Sequence, residues 1–521
     1  MLEHLQGEPI EQIRTSFRWR IPDRFNVGLD AADRHPRSAL AVRHINPDGS
    51  TADLTYGQLS EQSNRLANAL AAWGVRPGDR VAVVLPQDPK VAVAHVAVYK
   101  MGAIAVPMTV LFGPDALRAR LADSGAKVVI TNAATWERID PLREDLPDLE
   151  RCLLDTEWDD LVSRASPRFT PVDSAADDPA LLIYTSGTTG GPKGALHGHR
   201  VLLGHLPGFE LSHDFYGQPG DRFWTPADWA WIGGLYDAVF PVLHFGSSIV
   251  SLAASGPFDP ERALDLMARH EVGNTFLPPT ALKLMRQAGA KPPPDLRLRT
   301  IMSGGEALGE EVLDWAREHL GVTVNEIYGQ TECNYVVGNS HTLYPARPGS
   351  MGRAYVGHEV TVLDADENGL GEVAVRAPDP VMFLRYWNNA GATREKFKGE
   401  WMLTGDMATL DADGYFWFKG RKDDVISSAG YRIGPTEIEE CLMRHPSVAM
   451  AAVVGVPDPV RGQSVKAFIV LKPGFEPDAA ALQDFVRRRL AAYEYPRSIE
   501  FVPELPLTTT GKIRRTELRA R

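Results

Sequence analysis

A chain of 521 residues, 44% hydrophobic and 23% charged, has an ordinary globular makeup with room for a large core. Its net charge of −12 argues against a general nucleic-acid or anionic-membrane surface, so any anionic ligand must meet local basic spots. Cys152, Cys333 and Cys441 are too few and too scattered for a disulfide framework or a zinc site.

A reducing compartment fits this cysteine usage. No apolar h-region opens the chain and no apolar run reaches membrane-spanning length, so a cytoplasmic location is expected. Length suggests about three or four domain-sized units.

In chain order, residues 51–55 read as a strand and Tyr56 to Trp73 as a helix. That helix has Leu59, Leu66, Leu70 and Trp73 on one face and Gly74 as its stop. Arg80 to Leu85 is a strand, Pro89 to Met101 a helix apolar almost all round, and Lys127 to Thr131 a strand. Alternating units of this kind imply a mostly parallel sheet covered by helices.

Ala180 to Tyr184 is a buried strand, followed by Thr185-Ser186-Gly187-Thr188-Thr189-Gly190-Gly191-Pro192-Lys193-Gly194. Glycines let backbone approach a ligand, successive N–H groups can cradle anionic oxygens, hydroxyls donate, and Lys193 adds charge. The chemistry this suits is the polyphosphate of a nucleotide. Pro192 before the lysine and Gly194 after it set the stretch apart from a P-loop, which needs Ser or Thr and a helix start there.

Strands are expected at Ser248 to Leu252, Gly273 to Leu277, Thr300 to Ser303 and Thr323 to Tyr328, with helices at Pro260 to His270 and Glu310 to Leu320. Three chemical stretches then sit just past strand C-termini, where open α/β sheets bind ligands. From about residue 350 short segments with turn glycines read as a β-rich subdomain, about 350–422. The remainder has a helix at Pro435 to Arg444, strands at 448–454 and 465–471, and a helix at 479–491.

The 184–194 stretch resembles the phosphate-loop signature of the adenylate-forming family: acyl-CoA synthetases, peptide-synthetase adenylation domains and beetle-luciferase-like enzymes. The resemblance runs in compatible order from about residue 50 to 516. It implies an α/β fold with a large N-terminal domain, residues 1–422, of helix-covered mixed and parallel sheets with the β-rich subdomain. A small mobile α+β C-terminal domain, residues 423–521, is hinged at Asp423.

The family pattern assigns Thr185, Ser186, Gly187, Thr188, Thr189 and Lys193 to ATP phosphates, with Thr188 also catalytic. Gly305, Glu306 and Ala307, after Ser303-Gly304, would pack on adenine; Ala307 stands where proline is frequent. In Tyr328-Gly329-Gln330-Thr331-Glu332 it places Tyr328 along adenine and Gly329 and Gln330 around the nucleotide. Thr331 contacts phosphate there, and Glu332 is the Mg²⁺-associated acid, a cation that takes few protein carboxylates. Asp406 of Thr404-Gly405-Asp406 matches a ribose-binding aspartate, and Arg421 its partner on ribose or α-phosphate.

In Ser428-Ala429-Gly430-Tyr431-Arg432, Ala429 and Gly430 match the CoA pantetheine tunnel and Arg432 a phosphate contact. Ala429 stands where acetate-activating relatives have serine. Lys512, after Thr508-Thr509-Thr510-Gly511, would neutralise charge developing between the acyl carboxylate and the α-phosphate.

The resemblance implies ATP-dependent formation of acyl-AMP and pyrophosphate, then transfer to CoA. No carrier segment follows Lys512 before Arg521, so CoA is favoured, with loading of an acyl-carrier protein as the alternative. The acyl pocket is expected from Trp231, Ile232, Gly233, Gly304 and Gly329. Gly329 replaces a blocking tryptophan of acetate-activating relatives, and Gly233 and Gly304 replace larger residues. Three missing side chains should leave room for several carbons, each buried methylene contributing about 0.8 kcal/mol. A medium-chain, branched or aromatic acid is therefore predicted over acetate, acting in a monomer or homodimer with no nucleic-acid partner.

Overall fold

The computed structural model describes the chain apart from residues 186–191, 254–255, 429–430, 459–461, 491–494, 508–511 and 521, and the side chains of 427, 431, 432, 437 and 462. It is mixed α/β and divides into two compact units. The larger comprises residues 1–347, 352–359 and 376–401; the smaller comprises 348–351, 360–375 and 402–521.

In the larger unit, local signals set the elements. Thr55 and Gln58 close a reciprocal capping box at the start of Tyr56–Ala72, and Gly74 beyond its end takes a φ of +91°. Asp88 caps Pro89–Lys100, whose residues from Val91 onward are all buried, in keeping with its all-round apolar sequence. The one charge among them, Lys100, pairs with Asp33 at 2.7 Å.

A seven-stranded sheet runs in the order Arg385–Tyr386, Lys193–Gly198, Pro179–Thr185, Ile104–Pro107, Arg80–Val84, Val128–Thr131, Arg151–Leu154. It is parallel except at its 385–386 and 193–198 end. In a second sheet, Val324–Gln330, Thr300–Gly304, Asn274–Phe276, Arg222–Trp224, Ser248–Leu252 and Leu40–Ile45 lie side by side and parallel. Antiparallel strands flank this run, Asn334–Gly338 beside Val324–Gln330 and Thr51–Thr55 beside Leu40–Ile45. Helices Pro260–Arg269, Pro279–Ala288 and Glu310–Trp315 bury Leu264, Met267, Leu282, Met285, Val312 and Leu313 in one core with Val250, Ile301 and Val324.

The smaller unit holds two antiparallel pairs, Val360–Leu363 with Gly371–Arg376 and Trp401–Leu410 with Tyr415–Arg421. It also holds a five-stranded sheet built on Val448–Asp458 and Gly462–Leu471, with Pro435–Met443 and Ala479–Arg487 supplying core residues Ile438, Leu442, Leu482 and Val486.

Three sequence expectations are corrected. The helix expected over 310–320 is α-helical to Trp315 and widens to a π-helical turn at Ala316–Leu320. There His319 Nδ1 bonds the Trp315 carbonyl at 3.1 Å, competing with the regular backbone bond. The helix expected to reach 491 ends at Arg487. Gly329 and Gln330, expected just past a strand ending at Tyr328, instead complete Val324–Gln330, because the chain doubles back at once into Asn334–Gly338.

Candidate active site

Two hairpin tips carry most of the chemistry expected of the larger unit. Pro179–Thr185 and Lys193–Gly198 pair antiparallel with Thr185 opposite Lys193, so the phosphate-loop stretch spans a hairpin. Its Ser186, Gly187, Thr188 and Thr189 lie outside the described residues. Gln330 pairs with Asn334 in the second hairpin, with a bulge between Tyr328 and Gly329, which leaves Thr331, Glu332 and Cys333 at the tip. Antiparallel return across this second tip presents Thr331 and Glu332 without any long loop.

Tyr386, absent from the sequence reading, connects the tips. Its strand pairs with Ala195 of the first hairpin, and its hydroxyl donates to Glu332 Oε1 at the second. Lys193 Nζ stands 5.5 Å from the centre of the Tyr386 ring, a cation–π approach. Glu332 is 8% exposed, and its backbone carbonyl accepts the Phe383 N–H at 2.8 Å. Asn334 Nδ2 reaches the Val381 carbonyl at 3.3 Å, so residues 381–386 strap the second hairpin. Lys396, also missed, donates to Gln330 Oε1 at 2.6 Å. The signal for Tyr386 was the short run Arg385-Tyr386-Trp387, too brief to stand out as a strand.

A nearly sealed carboxylate that accepts from the Tyr386 hydroxyl, whose ring carries Lys193 at 5.5 Å, fits a hard cation that shares its other ligands with phosphate and water. Cys333, beside it, is fully buried, and burial pushes its thiol well above the ordinary range, so it is an inert core group.

Strand order brings the other segments together. Gly304 lies beside Ile327 on adjacent parallel strands, which sets Gly305, Glu306 and Ala307 next to Tyr328. Gly305 takes a φ of +103° with nothing within 4 Å of where a Cβ would stand, an open, glycine-requiring position. Glu306 faces Lys283 at 3.7 Å.

Trp231, Ile232 and Gly233 begin the helical run after Arg222–Trp224. Trp231 is half-buried and meets the Phe112 ring edge-on at 5.7 Å. Trp229 is 1% exposed.

The room expected from three glycines is not there. A Cβ on Gly329 would stand 1.5 Å from the Asn334 carbonyl oxygen, because the hairpin return occupies that side. A Cβ on Gly304 would stand 2.5 Å from Ile327 Cγ1, and one on Gly233 3.2 Å from the Phe276 ring. These glycines mark close approach of neighbours rather than open space for several carbons.

In the smaller unit, Asp406 and Arg421 face each other across the Trp401–Leu410 and Tyr415–Arg421 pair, with Arg421 donating to Asp406 Oδ1 at 2.8 Å. Asp406 is 5% exposed, and its N–H bonds Thr404 Oγ1 at 3.1 Å. Gly405 takes a φ of +76° and its N–H bonds Glu372 Oε1 at 2.9 Å, while Glu372 Oε2 holds Lys422 at 2.8 Å.

Asp423 is exposed in a turn; Asp424 beside it pairs with Arg515 at 3.5 Å and with Arg519. Arg515 also grips Glu439 at 2.7 Å. Burial raises the Glu439 carboxyl above its ordinary value in spite of that arginine. Lys512 is exposed, next to Ile513, which bridges to Leu507. Ala429, Gly430 and the Arg432 side chain lie outside the described residues.

The sequence matches two family models: AMP-binding enzyme over residues 29–387 and AMP-binding enzyme C-terminal domain over 437–512. It is 33% identical to the human acyl-coenzyme A synthetase ACSM4, mitochondrial, over 96% of this chain and 91% of that protein. It is 34% identical to the acetyl-coenzyme A synthetase of Bacillus subtilis (strain 168), over 95% and 90%. Among solved structures, the anthranilate CoA ligase AuaEII in complex with anthranoyl-AMP superposes with a TM-score of 0.82 at 30% identity, covering 96% of this chain and 98% of that one.

Proposed function

This chain belongs to the AMP-binding enzyme family as an AMP-forming acyl-CoA synthetase, and we propose that its acid is a medium-chain, branched or aromatic carboxylate. In the first step a carboxylate oxygen of the acid attacks the α-phosphorus of ATP, and pyrophosphate leaves with the electron pair of the broken P–O bond. In the second the CoA thiolate attacks the acyl carbonyl and AMP leaves. The observation that carries this reading is the Tyr386 bond to Glu332, which ties the lysine-bearing hairpin to the acidic one.

Thr185, Lys193 and the undescribed hydroxyls of the first hairpin hold the phosphates. Glu332 and Thr331 would hold Mg²⁺ with them, and that cation would offset phosphate charge. Tyr328 and the Gly305–Ala307 segment flank adenine. Asp406 takes the ribose hydroxyls, with Arg421 orienting it.

The residues around Asp423 act as a hinge between 1–422 and 423–521. In one arrangement this hinge presents Lys512 to the charge building on the reacting phosphate. In the other it presents the Ala429-Gly430 tunnel to the thiol. Electrostatic stabilisation by such a lysine supplies about 10²–10³ in rate.

Support for an acid larger than acetate comes from the half-buried Trp231–Phe112 wall and from similarity to a ligase of an aromatic acid. The relative named for acetyl-CoA is the competing reading. A panel of acetate, butyrate, hexanoate, isovalerate and benzoate with ATP, Mg²⁺ and CoA decides between them. Preferential AMP release with acids beyond acetate is expected, and best turnover with acetate would overturn the size assignment. Replacing CoA with a phosphopantetheinylated carrier protein tests the less favoured carrier-loading reading. No helix among the described residues is long and apolar enough to cross a membrane, and a cytoplasmic enzyme is proposed.

A further inference from the structure

Arg200 belongs to none of the stretches assigned to ATP, acid or CoA. It lies two residues beyond Lys193–Gly198, the strand that begins with the phosphate-loop lysine. Its guanidinium reaches the backbone of residues 379–382. Nη1 donates to the carbonyls of Asp379 at 2.8 Å, Pro380 at 2.5 Å and Met382 at 3.1 Å. Nε pairs with Asp177, an exposed carboxylate. Holding a carboxylate and several carbonyls at once needs a planar fork, which a lysine does not have.

The residues it grips lead directly into Arg385–Tyr386. That strand has two residues, and its pairing sets Arg385 against Leu196 and Tyr386 against Ala195. The Leu384 N–H donates to the Leu196 carbonyl at 2.7 Å and the Trp387 N–H to the Gly194 carbonyl at 2.7 Å. A slip of one residue turns every side chain of a strand to the opposite face, and a pairing this short has little of its own to resist one. Such a slip would take the Tyr386 hydroxyl away from Glu332.

Register is therefore set beyond the pair. Asp379 Oδ2 meets His358 Nδ1 at 2.7 Å, and its Oδ1 accepts the Val381 N–H at 2.9 Å. Helix Val201–Ser212 lies against the same backbone, since a Cβ on Gly204 would stand 2.3 Å from the Val381 nitrogen. Arg200 differs from these in being on the continuation of the partner strand itself. It follows Ala195 on one segment as Met382 precedes Tyr386 on the other, so its grip on 379–382 aligns Tyr386 with Ala195.

We propose that Arg200 is a positioning residue for adenylation: it fixes the register of Arg385–Tyr386 and so aims the Tyr386 hydroxyl at Glu332. This rests on the reading above that Glu332 holds Mg²⁺ with the phosphates. Arg200 touches neither substrate nor cation and acts only through Tyr386.

The test measures pyrophosphate release against Mg²⁺ concentration at fixed ATP, with the best acid of the panel above. The native enzyme is compared with Arg200→Lys, Tyr386→Phe and the double variant, each with a thermal unfolding curve. Outer partners of a metal-holding carboxylate tune its hold on the cation, so Arg200→Lys should raise the Mg²⁺ concentration for half-maximal rate by about three- to tenfold. The double variant should shift no further than Tyr386→Phe alone, because both changes act through one bond. A merely structural loss would lower the melting temperature without moving that concentration.

An unchanged Mg²⁺ dependence in Arg200→Lys, with Tyr386→Phe shifted, overturns the role of Arg200 and leaves Glu332 as the carboxylate of the cation. So do shifts that add in the double variant. If Arg200→Lys does not fold, Asp177→Asn, at an exposed position, takes its place by loosening the guanidinium. A shift in the same direction then supports the proposal, and none overturns it. An Mg²⁺ dependence that Tyr386→Phe leaves unchanged removes the cation reading of Glu332, and this proposal with it.

Discussion

The Tyr386 hydroxyl donates to Glu332 Oε1, so a strand of the seven-stranded sheet holds the carboxylate at the hairpin tip of the other sheet. The bond is charge-assisted and almost wholly buried on the carboxylate side, conditions under which one hydrogen bond contributes about 1.5–3 kcal/mol. Tyr386→Phe keeps the ring beneath Lys193 and removes the hydroxyl that donates to Glu332. Pyrophosphate release should fall by roughly tenfold or more, and the Mg²⁺ concentration for half-maximal rate should rise. An unchanged Mg²⁺ dependence would place Glu332 away from the cation.

Lys512 and Gly430 should separate the two half-reactions. Lys512→Ala is expected to lower acyl-AMP formation by about 100-fold or more while supplied acyl-AMP is still converted to acyl-CoA. Gly430→Leu should do the reverse, because a bulky side chain would obstruct the thiol path. The readouts are pyrophosphate release without CoA and thioester formation from synthetic acyl-AMP. Equal loss of both by Lys512→Ala would contradict a role confined to adenylation.

Glycines at the site should differ in what they tolerate. Gly329→Ala would drive a Cβ to 1.5 Å from a backbone oxygen that no rotamer change can move, and should cost about 3 kcal/mol or displace the hairpin. Gly305→Ala meets no atom but must adopt a φ of +103°, costing about 1–3 kcal/mol. Gly233→Ala meets the edge of the Phe276 ring at 3.2 Å, and about 1 kcal/mol is expected. Thermal denaturation should rank Gly329→Ala as the most damaging; a melting point for it equal to that of Gly233→Ala would contradict the hairpin geometry.

Stability should fall as acid is added, well before the carboxylates titrate. Burial lowers His95 and His197 to about 3 and His199 to about 4, from an ordinary 6.5. Below 6.5 the unfolded chain gains protons on these residues that the folded chain refuses until about pH 3–4, so unfolding is favoured progressively as pH drops. Each such histidine steepens the fall by up to about 1.4 kcal/mol per pH unit over that window, and contributes nothing above it. Urea unfolding between pH 7.5 and 5 measures the slope. His95→Gln should reduce it, and a slope indifferent to that change would mean His95 takes up its proton in the folded state.

Much of the strand and helix plan was legible because it is encoded locally. The all-round apolar run 89–101 could only be an interior helix, and Thr55 with Gln58 could be read as a helix start. Local signals failed where a partner from elsewhere intervened. Gly329 and Gln330 looked like a loop beyond the strand, yet pairing with Asn334–Gly338 extends the strand through them. Tyr386, close to Glu332 in space and far along the chain, was marked only by the short run Arg385-Tyr386-Trp387.

The sequence by itself pointed to a nucleotide polyphosphate, through the glycines, hydroxyls and lysine of residues 185–194, and its resemblance to the adenylate-forming family implied activation of an acid. Only the tertiary structure decided what surrounds each of them. A missing side chain is a hollow or a tight contact according to which strand returns beside it, and at Gly329 the returning backbone of Asn334 makes it a contact.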